Sequence, residues 1–155
     1  AEVAASVHEV LSTAAAIRST ASILAGDKDL PEGEVIAARI LGQPLALARG
    51  DGGVPFAMED RCPHRAAPLS LGKCEGGGLR CWYHGVRFAA DGTCVEIPGQ
   101  DSIPPALTVR TFSVVERHAA IWVWMGDAAL ADEALIPPFV GYRSPEWAMT
   151  PGRSR

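Results

Sequence analysis

The spacing of apolar positions changes character along the chain, and each change marks a different kind of element. Val3, Val7, Val10, Ala14, Ile17, Ala21 and Leu24 recur in steps of four and three. That is helical periodicity, and it predicts a helical extension over residues 1–26 that stops at Gly26. The same spacing would suit a coiled-coil seam, but two alanines in the seam and few flanking charge pairs favour an amphipathic helix lying on its own domain. From Asp27 the runs become short and partly β-branched. Residues 34–41 and 44–49 flank Gly42-Gln43, which predicts a hairpin, and 54–59 reads as a third strand after the glycine-rich turn at 50–53. Residues 109–116 alternate, and 119–125 (AAIWVWM) read as a buried strand with Trp122 and Trp124 on one face, as core. Between these two groups, residues 61–100 are rich in Gly, Pro, Cys and His and follow no period. An insertion of that length is usually functional or stapled by a metal. After Gly126 the chain is a loosely patterned tail with no core pattern of its own.

Composition narrows the class. At 155 residues, 48% hydrophobic and 21% charged, the chain has the make-up of one globular domain with a core of its own. Twelve prolines and sixteen glycines imply many turns and an all-β or turn-rich fold. A net charge of −4, with no cluster of Lys and Arg, argues against nucleic acid or an anionic membrane as partner. The most apolar stretch, residues 3–24, is interrupted by His8, Glu9 and Arg18, so no membrane span is expected.

The four cysteines are Cys62, Cys74, Cys81 and Cys94. Cys62-Pro63-His64 is followed, after sixteen residues, by Cys81-Trp82-Tyr83-His84. Two short loops thus each offer one thiolate and one imidazole at ligand spacing. This points to a reducing, cytoplasmic compartment rather than to a disulfide framework. A dinuclear iron–sulfur cluster needs four protein ligands, and in the Rieske type two imidazoles replace two thiolates on one iron. Cys62 and Cys81 would hold the inner iron, and His64 and His84 the outer one. The alternative is a structural zinc, which two Cys and two His also satisfy. Zinc pairs are more often matched, Cys with Cys and His with His, so the spacing favours the [2Fe–2S] cluster. Cys74 and Cys94 are left over, as free buried thiols or as a disulfide.

The segments RCPHRAAPLS (61–70) and CWYHGVRF (81–88) resemble the N-terminal domain of Rieske non-haem iron oxygenases, notably vanillate-demethylase-like large subunits. Residues 30–139 fit that domain almost throughout. Asp91-Gly92 would form the hairpin after the second ligand loop, and Ile97-Pro98-Gly99-Gln100 the proline loop covering the cluster. Trp82 departs from the family, where Pro is commoner. The resemblance implies an all-β Rieske fold of antiparallel sheets over residues 27–139, with a cluster-binding subdomain inserted at about 60–100. Residues 140–155, including Trp147-Ala-Met-Thr-Pro-Gly152, would be the cut-off start of a catalytic domain.

High-potential respiratory members of the family join the two ligand loops by a disulfide and place hydroxyl donors after the second histidine. Ala67 and Tyr83 stand at the first pair of positions here, and Val86 and Phe88 at the second. Hydrogen bonds to cluster sulfur raise the potential, so a low-potential centre is expected. An oxygenase also needs a mononuclear iron held by two histidines and a carboxylate. Of the four histidines, His8 and His118 remain, and they form no paired motif. The chain is therefore expected to relay single electrons, accepting them from a reductase or ferredoxin and passing them to a catalytic oxygenase domain that it does not contain. The alternative is a stand-alone Rieske ferredoxin. Arg65 and Arg80, beside the ligand loops, are candidates for a docking face, and the resemblance also admits a homo-oligomer.

Overall fold

A computed structural model describes residues 22–26 and 30–137. Six strands form an antiparallel base in the order β1-β10-β9-β4-β3-β2. They are β1 (Ser22–Gly26), β2 (Val35–Ile40), β3 (Gln43–Arg49), β4 (Pro55–Glu59), β9 (Thr111–Arg117) and β10 (Ala120–Trp124). The insertion between β4 and β9 is a second antiparallel sheet, β5-β6-β7-β8, built from Lys73–Glu75, Gly78–Arg80, Arg87–Ala89 and Cys94–Glu96.

Strand β3 shows why the two layers stack. Its Leu45-Ala46-Leu47-Ala48 alternates large and small, and strand geometry sends alternate side chains to opposite faces. Leu45 and Leu47 pack with Leu30, Ile40, Ala57, Phe112, Ile121 and Val123 in one core. Ala46 and Ala48 face the other way, where their small size lets Phe56, Met58, Leu69, Leu79, Val86 and Phe88 close in. The insert therefore shares a core with the base. Its edge is tied down by the Val109 amide, which donates to the Gly92 carbonyl at 2.9 Å, and by the Cys74 thiol, which donates to the Arg49 carbonyl at 3.4 Å. On the far side of the base, Arg49 donates to the Leu30 carbonyl at 2.7 Å and to Glu116 at 2.8 Å, joining β3 to β9.

The predicted strands at 34–41, 44–49, 54–59, 109–116 and 119–125 all form within a residue or two, and the hairpin turns where expected, with Leu41 and Gly42 both at positive φ. Three expectations need correction. The helix predicted to run to Gly26 gives way to strand over Ser22–Gly26, which pairs with β10 through Ser22↔Val123 and Gly26↔Ala120. Unpaired edge amides and carbonyls of β10 offer that segment a ladder, and pairing outweighs local period. Residues 1–21 lie outside the described ones. The aperiodic insertion is a regular sheet whose strands, at three residues each, are too short to show alternation. The tail contributes to a core after all: Ile136 is buried against Ala120 and Trp122, below the 3₁₀ turns Ala128–Leu130 and Glu133–Leu135. Trp122 and Trp124 are buried, as expected, and their indoles donate to the carbonyls of Arg117 and Asp127.

Candidate metal centre

The two ligand loops are built alike. In the first, the Cys62 amide donates to the Ala67 carbonyl at 2.8 Å and the Ala66 amide to the Cys62 carbonyl at 2.7 Å. In the second, the Cys81 amide donates to Val86 at 2.8 Å and the Gly85 amide to Cys81 at 3.0 Å. Each ring closes through a residue in the left-handed region four places after the cysteine: Ala66 at φ +57° and Gly85 at φ +73°. The second is met by glycine, which has no Cβ to clash. The first is met by alanine, a strained choice that sequence reading does not flag.

The loops carry their side chains to the same end of the insert. Cys62 and Cys81 are each 2% exposed and lie in the insert core. The Cys62 thiol is pushed above its ordinary pKa mainly by burial, further by its hydrogen bond and charge interaction with Cys81, and is pulled back by the amides of His64 and Arg65. His64 and His84 are exposed, with ring centroids 4.7 Å apart in an edge-on arrangement. The structure thus brings Cys62 against Cys81 in the core and His64 beside His84 at the surface. Among the described residues, no group of three or more His, Cys, Asp and Glu side chains is arranged to hold a single metal ion. One pair of sulfurs and one pair of imidazoles match a dinuclear cluster, where each iron takes two ligands from the protein.

Around the centre, Pro98 of the predicted covering loop lies against Gly85, where an added Cβ would meet its ring at 3.0 Å. Val86 and Phe88 are buried in the insert core. Tyr83 stacks on Trp82 with centroids 5.5 Å apart and lies 3.9 Å from the His84 ring, so an exposed aromatic series runs up to the outer pair. A disulfide between Cys74 and Cys94 is ruled out by register: Cys74↔Leu79, Leu79↔Phe88 and Phe88↔Cys94 are neighbours across the sheet. Three strand spacings, roughly 14 Å, separate them, well beyond the reach of a disulfide. Burial pushes both thiols above their ordinary pKa.

Sequence reading missed the braces. Asp60 accepts from the Ser70 amide at 2.7 Å and its hydroxyl at 2.6 Å, clamping the base of the first loop. Arg80 is drawn into ion pairs with Glu75 and Glu96 rather than standing free as a docking cation. Both are pairs across an intervening loop, which spacing along the chain does not reveal.

Paired thiols below paired imidazoles, on two loops of one design, are what a dinuclear cluster with mixed ligands requires, and comparison with known proteins agrees. The Rieske [2Fe–2S] domain model matches residues 21–119. The chain belongs to the Rieske [2Fe–2S] domain family. Its cofactor is accordingly a Rieske-type cluster. Among its relatives is the iron-sulfur subunit of the toluene-4-sulfonate monooxygenase system of Comamonas testosteroni, 43% identical over 88% of this chain and 39% of the relative. The oxygenase component of dicamba O-demethylase from Stenotrophomonas maltophilia is 47% identical over 79% of this chain and 36% of the relative. A vanillate O-demethylase oxygenase subunit from a Pseudomonas species is 46% identical over 70% of the chain and 33% of the relative. The crystal structure of dicamba monooxygenase bound to dicamba superposes with a TM-score of 0.77 at 44% identity, covering 83% of this chain and 39% of that one. This Rieske chain thus spans little more than a third of the length of the relatives it matches. Among its described residues, no helix is long and apolar enough to cross a membrane.

Proposed function

We propose that this chain is the electron-transfer domain of an aromatic-type Rieske oxygenase, with Cys62, His64, Cys81 and His84 as the cluster ligands. The observation that carries the assignment is the pairing itself: two buried sulfurs in contact and two exposed imidazoles 4.7 Å apart, delivered by loops with matching hydrogen bonds. When bound, the cluster supplies one-electron chemistry at a potential raised by its imidazole ligands.

The protein's residues do the rest. Cys62 and Cys81 would anchor the group in the apolar core, where Leu69, Val86 and Phe88 exclude water from the sulfurs. The amides of His64 and Arg65, directed at the Cys62 sulfur, favour its thiolate form. His64 and His84, at the exposed tip, would set the outer end of the path by which electrons enter and leave. The donor would be a reductase or ferredoxin, in a reducing cytoplasm. The acceptor would be a non-haem iron in a catalytic domain of the kind its longer relatives carry, and aromatic substrates would belong to that domain. Exposed Arg65, beside His64, remains a docking candidate.

The test is an EPR spectrum before and after dithionite, with iron and acid-labile sulfide counted on the same sample. A silent oxidised form, a rhombic signal of low average g on reduction and equal iron and sulfide are expected. The buried, hydroxyl-free side chains of Val86 and Phe88 put the potential at the low end of the Rieske range, roughly −150 mV. Zinc in protein made under iron-replete, anaerobic conditions would overturn the assignment.

A further inference from the structure

One face of the insert sheet is apolar, with Leu79 and Phe88 in the core. The other carries a charged row in register, Lys73↔Arg80↔Arg87↔Glu96, one residue from each strand. Within that row Arg80 is singular. Its Nη1 donates to the Gly85 carbonyl at 2.7 Å and to Glu96 at 3.0 Å, its Nη2 donates to Glu96 at 2.9 Å, and its Nε donates to Glu75. Arg87 meets Glu96 at 3.3 Å, with no bond to either ligand loop among those formed by the described residues.

The Gly85 carbonyl follows His84 directly, and Gly85 is the left-handed residue that closes the second ring. Pro98 lies nearby: a Cβ added at Gly85 would meet its ring at 3.0 Å and the Arg80 Nη1 at 3.9 Å. The peptide after His84 is thus held by a guanidinium whose orientation is fixed by two carboxylates. Among the described residues, the first loop, closed by the strained Ala66, has no side-chain brace of this kind; its clamp, Asp60 to Ser70, lies outside the ring.

Resting on the ligand assignment above, we propose that Arg80 is a positioning residue for His84: it fixes the Gly85 peptide, and through it the orientation in which the imidazole meets the outer iron. Glu75 and Glu96 hold the fork in place, so the two histidines are not equivalent. His84 is set by a side-chain network, and His64, among the described residues, by the backbone of its loop. Both carboxylates and Lys73 face this guanidinium from neighbouring strands, so the site has little net charge and acts through geometry. The bidentate Arg80–Glu96 pair is the kind of fork that Lys does not reproduce.

The test compares Arg80→Gln, Arg80→Lys and Glu96→Gln with Arg87→Gln, which removes an equal charge from the same row without touching Gly85. Each is purified with its cluster, checked for native circular dichroism, and measured by EPR linewidth and by the rate at which a chelator strips the iron. Loss of a partner that orients a ligand weakens metal binding by about tenfold or more. Arg80→Gln and Arg80→Lys are therefore expected to broaden the g features and to lose iron about tenfold faster. Glu96→Gln should do so to a smaller degree. Arg87→Gln should stay within about twofold of wild type, as for an ordinary exposed ion pair. If Arg80→Gln does not accumulate folded, Arg80→Lys and Glu96→Gln carry the comparison. Linewidths and rates unchanged in the Arg80 variants, or changed equally in Arg87→Gln, overturn the positioning role and leave the ligand assignment standing. A wild-type protein without the Rieske signal overturns both.

Discussion

In the base, strands of five to seven residues bury leucine, isoleucine, valine and phenylalanine between them, and the order of the sheet brings β2, β3 and β4 together as consecutive neighbours. In the insert, strands of three residues are joined by glycine turns, one face is a row of charges, and two of its most buried side chains are cysteines. The difference teaches where each region draws its stability. The base has enough apolar area to hold its fold by burial. The insert has little, so its loops lean on side-chain braces and tight backbone contacts, and under the proposed ligand assignment also on the metal, as small metal-stapled units do.

The sharpest way to separate the two regions is Cys81→Ser. It should abolish the reduced EPR signal, and hydrogen exchange should show protection lost in residues 60–100 while β2, β3 and β4 keep theirs. Equal loss of protection in both sheets would mean that the base, too, depends on the cluster. A smaller contrast comes from packing. Leu47→Ala opens a cavity in the base core and should cost about 3 kcal/mol in denaturant unfolding. In Gly78→Ala the new Cβ would overlap the Phe88 carbonyl oxygen on the next strand. A forced shift of that kind costs about 1–3 kcal/mol, and the change should speed cluster loss, whereas Leu47→Ala at equal temperature margin should not.

Acid sharpens the comparison further. Arg80, with Arg87 in support, holds the Glu96 carboxyl below its ordinary value. A depressed carboxylate contributes stability that is present above its unfolded pKa and is lost as pH falls through the folded value. The charged row should therefore be intact above about pH 5 and should weaken below the ordinary carboxylate range. Thermal melts of wild type and Glu96→Gln should converge as the pH is lowered through that window. The smallest effect is expected from Trp82→Ala. Its ring is 56% exposed and stacks only on Tyr83 and solvent, so stability should change by about 0.5 kcal/mol or less, with the EPR signal unchanged.

How much was legible follows the range of each interaction. The short apolar runs at 34–41 and 44–49 announced a hairpin, because run length and the turn between them are written into neighbouring residues. Cys62-Pro63-His64 and Cys81-Trp82-Tyr83-His84 announced the proposed ligand set, since each half needs only two or three residues of chain, and the structure sets cysteine against cysteine and histidine beside histidine. The glycine at position 85 agreed with a left-handed turn. Ala66, in the matching position of the first loop, concealed one.

What tertiary structure decided was everything that depends on which strand lies beside which. Ser22–Gly26 became an edge strand because β10 offered it hydrogen-bonding partners, against a local pattern that spelled helix. Strands of three residues form where neighbouring strands complete their ladders, a length at which no period is visible. Register also set Cys74 and Cys94 three strands apart, turned Arg80 from a surface cation into the brace of Gly85, and buried Ile136 of the tail beneath Trp122. The sequence by itself determined the chemistry the loops offer and the strands of the base. The geometry in which that chemistry is held came from hydrogen bonds and contacts between residues far apart in the chain, which no local pattern encodes.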